Sequence, residues 1–330
     1  MIFSRSRCFI GWLMAVLVAL NACKNGPGTW KNEEIPSGIA GDFHNMNQTL
    51  LAGLKANNAK LFEDIMSRTM LQDVNINRTV ELCSIRMQSG QNSLLDEFYV
   101  VHQYKRPNVI KANHHGANNY SLNYQPGTKE MYFAFYLLKN GTDKWLLTAY
   151  YNKLDYGWKL TELELNPHAI QGKTAPELYE VAKQKYAKGY LMDVVNTLNL
   201  SRSCALPSTI WRYAKEPEID EFYSKVITEA EAAYKFPLIV KQLPTQPKIF
   251  RVFNQPMDEG MFPMIYYVSK LNLKDTAALK KENMQLRKVI GQVMPGIDSD
   301  KKYLQYTAFD NYPGGSKKSV MHYGLIDTLQ

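Results

Sequence analysis

The chain is short of cysteine and of long apolar runs, and each shortage excludes something. Four of its 330 residues are cysteine, Cys8, Cys23, Cys83 and Cys204. They form no C-x-x-C pair and no ladder with histidine, and no H-E-x-x-H occurs, so the usual structural-zinc, zincin and haem-attachment signatures are missing. No G-x-S-x-G elbow marks an acyl-transfer nucleophile. Ser299-Asp300-Lys301-Lys302 fits S-x-x-K by letter, but no S-D-N or K-T-G accompanies it. There is no Walker loop and no G-x-G-x-x-G, and "YPGGSKK" lacks the strand–loop–helix frame of a phosphate cradle. Beyond residue 22 nothing approaches the roughly 20 apolar residues of a membrane-spanning helix. The sequence implies no cofactor and no metal, and leans away from an enzyme.

Positive charge is in excess, a formal +8, but Lys and Arg are scattered. The densest clusters, such as Lys301-Lys302 and Lys317-Lys318, are pairs. That pattern reads as a solvated surface with at most a weak pull toward anionic head groups, and no nucleic-acid partner is expected.

What is present begins with "MIFSRSRCFIGWLMAVLVALNAC". Arg5 and Arg7 form a positive flank, and Phe9 to Leu20 is a 12-residue apolar stretch interrupted only by Gly11. The stretch is too short for a permanent span and has the layout of a secretory signal, assigned to residues 1–22. Leu20-Asn21-Ala22-Cys23 resembles the bacterial lipobox, with Asn21 where that motif usually has Ala, Ser or Thr. The resemblance implies cleavage before Cys23, a diacylglycerol on its sulfur and a fatty acyl group, palmitate for example, on its new amine. Lys24 rather than Asp follows, which in Gram-negative lipoproteins permits transfer to the outer membrane. The implied location is the cell envelope, lipid-anchored and facing the periplasm. Cleavage after Ala22 with an unmodified thiol, or an uncleaved anchor, are the alternatives. Loss of Arg5 and Arg7 with the signal leaves 308 residues at +6. Residues 23–41, "CKNGPGTWKNEEIPSGIAG", read as a flexible tether rich in Gly, Pro and polar residues.

The remainder predicts an α+β protein: helices packed on a curved antiparallel sheet, a helical hairpin, then a second, smaller α+β domain. In residues 42–170, "NQTLLAGLKANNAKLFEDIMSRTM" has helical spacing, with Asn57-Asn58 placed to end one helix and cap the next. "TVELCSIRM" and "EFYVVHQY" look like strands. "KEMYFAFYLLKNGTDKWLLTAYYNKLDYGWKLTELELN" is an antiparallel meander broken at Asn140-Gly141 and Asp155-Tyr156-Gly157. Helices leading into a curved sheet that ends in "WKLTELEL" resemble the nuclear-transport-factor-like, cystatin-related cone fold, which implies a bent sheet around helices and often a cavity between them. Residues 171–210 read as two helices turning at Gly189. Their spacing, Ala182 to Gly189 with Pro207 downstream, resembles one tetratricopeptide unit. A solenoid needs about three such repeats, so the hairpin is a linker or cap. Residues 217–330 run helix–strand–strand–helix–strand–strand, with Asp275 as the cap of the second helix.

Candidate site residues are sparse. His114-His115 in "KANHHGANNY" is the one paired histidine, in a turn-like context where an acid–base role competes with an exposed polar loop. Glu162 and Glu164 share a strand face, which is more simply a solvent face than a glycosidase pair. Tyr132, Tyr136, Trp145, Tyr150, Tyr151 and Trp158 would line a pocket for a sugar or apolar ligand, or pack the sheet's core. Cys83 and Cys204 would be bridged by a disulfide in an exported protein, or both be buried and reduced. Together these features favour a non-catalytic envelope lipoprotein that binds a protein or small ligand. The alternative, by analogy with cone folds, is an enzyme using His114 or His115 with a carboxylate.

Overall fold

The computed structural model describes residues 26–88, 91–314 and 320–329. The signal segment, Cys8, the lipobox with Cys23, and Lys317-Lys318 lie outside them. Among the described residues no helix is long and apolar enough to cross a membrane. The fold is α+β, with a curled antiparallel half-barrel sheet and smaller additional sheets. The chain divides into two compact units. The first holds residues 26–110, Leu122–Leu138 and Leu146–Leu165; the second holds Lys111–Ser121, Lys139–Trp145 and residues 166–329.

The large sheet has six strands: β1 (Gly28–Lys31), β2 (Asn92–Val101), β5 (Glu130–Asn140), β6 (Asp143–Leu154), β7 (Gly157–Ile170) and β8 (Lys173–Thr174), neighbours in that order. The short β3 (Asn108–Lys111), β4 (Tyr120–Tyr124) and β9 (Trp211–Tyr213) make a three-stranded sheet. The expected meander is β5–β6–β7.

In the first unit, α1 (Ser37–Lys55) ends near Asn57, whose φ is +52°, and Asn58 caps the following 3₁₀ turn by accepting from the Lys60 amide at 3.1 Å. The asparagine pair thus does end one helical segment and cap the next. A one-turn α2 (Arg68–Leu71) and α3 (Ile76–Gln88) follow. The α3 segment corrects the reading of "TVELCSIRM" as a strand. Val80, Cys83, Ser84 and Met87 form its buried stripe, while Leu82 and Ile85, which made the letters look alternating, are exposed.

The tether reading also fails from Gly28 onward. Residues 28–31 pair antiparallel with β2, from Gly28 opposite Val101 to Lys31 opposite Phe98. The Trp30 ring stacks on Tyr99 at 5.3 Å, and Ile35 is buried. Lys31 Nζ lies 3.0 Å from the buried Asp96 carboxylate. One indole, one aliphatic side chain and one ion pair outweigh the flexibility implied by Gly, Pro and polar composition.

In the second unit, α4 (Ala175–Ala187) and α5 (Leu191–Ser203) form the expected hairpin. Its start is a Thr174–Glu177 capping box with Pro176 in the first turn. A third helix, α6 (Glu216–Ala233), completes the packing, with Ile219 and Val226 against Tyr179, Ala182, Val194 and Leu198. The second sheet runs β10 (Leu238–Ile239), β11 (Lys248–Met257), β12 (Gly260–Val268), β13 (Tyr303–Phe309) and β14 (His322–Thr328). It is antiparallel except for β12 and β13, which run parallel because α7 (Thr276–Val293) connects them. Asp275 caps α7, accepting from the Ala278 amide at 2.9 Å.

Candidate functional site

The interior of the first unit is built on Phe43 of α1. Its ring stacks on Tyr132 of β5 at 3.8 Å and meets Trp158 of β7 edge-on at 4.7 Å. Tyr151 of β6 lies 6.0 Å from the same ring. Three of the aromatic candidates therefore converge on one helical side chain. Tyr136 belongs to the same neighbourhood through Asn47 and Glu97. Tyr150, one residue from Tyr151, faces the other way and packs edge-on against Phe133 at 5.7 Å. Trp145 falls in the second unit.

The charged centre of this interior was not singled out from the sequence. Glu97 of β2 is 3% exposed, yet both of its oxygens lie 3.0 Å from His44 Nε2. The Tyr132 hydroxyl donates a short bond to the same carboxylate. Asn47 Nδ2 donates to the Tyr132 oxygen at 3.1 Å, and the Tyr151 hydroxyl donates to Asn47 Oδ1 at 2.8 Å. Burial, reinforced by the charge of Glu97, pushes the Tyr132 phenol far up, so it stays a protonated donor. The His44 side chain is 47% exposed and the carboxylate behind it is not. Chemically this is an imidazole backed by a buried carboxylate, an arrangement suited to proton transfer or to holding a donor-rich ligand. A signal did exist: Asp96-Glu97 sets two acids inside the apolar run "LLDEFYVV".

A second feature of the first unit is a solvent-open groove of about 350 Å³ at the end of β2. Pro27, Gly28, Val101, His102, Tyr104 and Arg106 are among its lining residues. His102 is buried, with Nδ1 3.1 Å from the Lys129 carbonyl and Nε2 2.9 Å from the Tyr124 hydroxyl. Burial lowers its pKa, which keeps the ring neutral, so Nδ1 donates and Nε2 accepts.

The remaining candidates do not assemble. His114 is half-buried, its ring stacked on Tyr120 at 5.4 Å, while His115 is exposed in a loop shaped by the positive φ of Asn113 and Gly116. Glu162 and Glu164 do interact. Burial, then the charge and hydrogen bond of Glu164, raise the Glu162 carboxyl above the ordinary range. Cys83 and Cys204 are free and buried, in the first and second unit respectively. Burial raises both thiols to about 12, so they are unreactive thiols.

No protein-family model, no curated protein and no solved structure matches this chain.

Proposed function

We propose that the protein is an envelope lipoprotein, held on a membrane by acylated Cys23, that binds a protein or small ligand and does not catalyse a reaction. The observation that carries this reading is Leu20-Asn21-Ala22-Cys23 closing an apolar stretch of 12 residues behind Arg5 and Arg7. Two acyl groups on glycerol and one on the amine would bury enough methylene, at about 0.8 kcal/mol each, for stable anchoring.

Where the fold starts supports the same reading. Strand β1 begins at Gly28, five residues after Cys23, and five residues span at most about 18 Å. Gly28 lines the groove with Tyr104 and Arg106, so that end of the first unit would be held at the head-group layer. The charge there is suitable: within the first unit, the stretches from Phe98 to Ile110 and from Leu122 to Lys129 carry Lys105, Arg106 and Lys129 and no acidic residue. Tyr104 and Val109 are exposed beside them. Basic side chains near an anionic surface contribute about 1 kcal/mol each. The test is fractionation of Cys23→Ser: it should move from the membrane to the soluble fraction or remain as uncleaved precursor. A variant that matures and sediments with membranes like the parent contradicts the reading.

The His44–Glu97 pair favours a second reading, acid–base chemistry, and moves it from His114 or His115 to His44. The discriminating observation is a bound small molecule with a transferable proton within hydrogen-bond reach of the His44 ring.

A further inference from the structure

Helix α7 turns a polar pair toward the second unit's sheet. Its buried residues are Leu279, Glu282, Asn283, Leu286 and Ile290, so an acid and an amide interrupt an otherwise apolar stripe. Glu282 and Asn283 are each 2% exposed. The sheet presents Tyr267 of β12 and Tyr306 of β13, both fully buried, with Asp327 of β14. Asn283 Nδ2 donates to both Asp327 oxygens at 3.1 Å, which fixes the amide and aims its carbonyl oxygen away from Asp327.

Five oxygens of this cluster have no hydrogen-bond partner in the protein: both of Glu282, Oδ1 of Asn283 and the hydroxyls of Tyr267 and Tyr306. They belong to one neighbourhood: the strand register puts Tyr267, Tyr306 and Asp327 on one face of the sheet, and both tyrosines pack in one core with Leu279 and Leu286, which flank Glu282 and Asn283 on α7. Arg287, the cation that acts on Asp327, is exposed. A buried carboxylate without a partner is costly, and protein interiors normally pair such charges or give them to a metal.

We infer that Glu282, Asn283, Tyr267 and Tyr306 form a binding site for a hard divalent cation of the calcium class, with Asp327 holding the Asn283 amide from behind. Among the described residues no three His, Cys, Asp or Glu side chains gather to hold a metal. This cluster offers the Glu282 carboxylate and completes the set with amide and phenol oxygens, an all-oxygen set that suits a hard cation and not zinc. Both Glu282 oxygens are free to bind together, and calcium accepts bidentate carboxylates and irregular geometry where magnesium demands a near-ideal octahedron.

The experiment uses the full-length protein stripped with a chelator, then equilibrium dialysis and thermal unfolding with Ca²⁺ or Mg²⁺. The expected result is one equivalent of Ca²⁺ bound and a Tm raised by several degrees, with a smaller response to Mg²⁺. Glu282→Gln should abolish both effects while leaving the chelated protein at least as stable as the parent. If Glu282→Gln does not fold, Asn283→Asp decides: an added carboxylate must enlarge the Ca²⁺-dependent rise in Tm. Absence of bound Ca²⁺ in the parent, retained binding in Glu282→Gln, or an unchanged rise in Asn283→Asp overturns the inference.

Discussion

His168 carries a consequence that its letter in the sequence does not reveal. It is 7% exposed, with the Tyr213 hydroxyl 3.5 Å from Nδ1 and the Trp211 ring edge-on at 5.8 Å. Burial, helped by the charge of Lys144, lowers its pKa to about 4. An unfolded histidine titrates near 6.5. As pH falls the unfolded chain therefore gains the proton first. Stability that is fully present above about 6.5 is lost as pH drops toward 4, roughly 3 kcal/mol from this residue. His102, also lowered by burial, acts in the same direction. Urea midpoints should fall between pH 7 and pH 5, and His168→Gln should flatten that fall; an equally steep decline in the variant contradicts the assignment. The sequence could not show this, because partners 43 and 45 residues downstream create the burial. The Glu97 site was hidden for the same reason. Its bonds join residues 53, 85 and 104 positions apart.

Elements were more legible where the signal was local. The hairpin α4–α5, the Asp275 cap of α7 and the β5–β6–β7 meander follow from turn chemistry and periodicity that lie within a few residues. Helix α3 reads as a strand because Val80-Glu81-Leu82 and Ile85-Arg86-Met87 each alternate locally, but the two runs are out of phase, and packing chooses Val80, Cys83 and Met87. Strand β1 was misread because its partner β2 begins more than 60 residues later. Turn glycines give an element-scale test. Gly189, between α4 and α5, has φ +76° with open space where a Cβ would go. Gly296, after α7, has φ +83°, and a Cβ there would lie 2.1 Å from the Tyr190 ring. Gly189→Ala should cost only the backbone strain, about 1–2 kcal/mol. Gly296→Ala should add overpacking of about 1–3 kcal/mol. Equal losses in denaturant unfolding would contradict the close approach of Tyr190.

For the whole molecule, fold class was readable from the sequence, whereas function is a proposal. The α+β class follows from element order, which a single sequence carries. The anchor is proposed from a contiguous motif at Cys23, whereas binding sites arise from side chains that the fold gathers: Glu97 shows in the sequence only as an acid inside an apolar run, and its partners do not show at all. The account's central claim is covalent, so a mass decides it. Intact mass spectrometry of protein extracted from membranes should give a chain starting at Cys23 with the added mass of a diacylglyceryl group and an amide-linked acyl chain. A chain that still begins with Met1, or one that begins at an unmodified Cys23, would contradict the account.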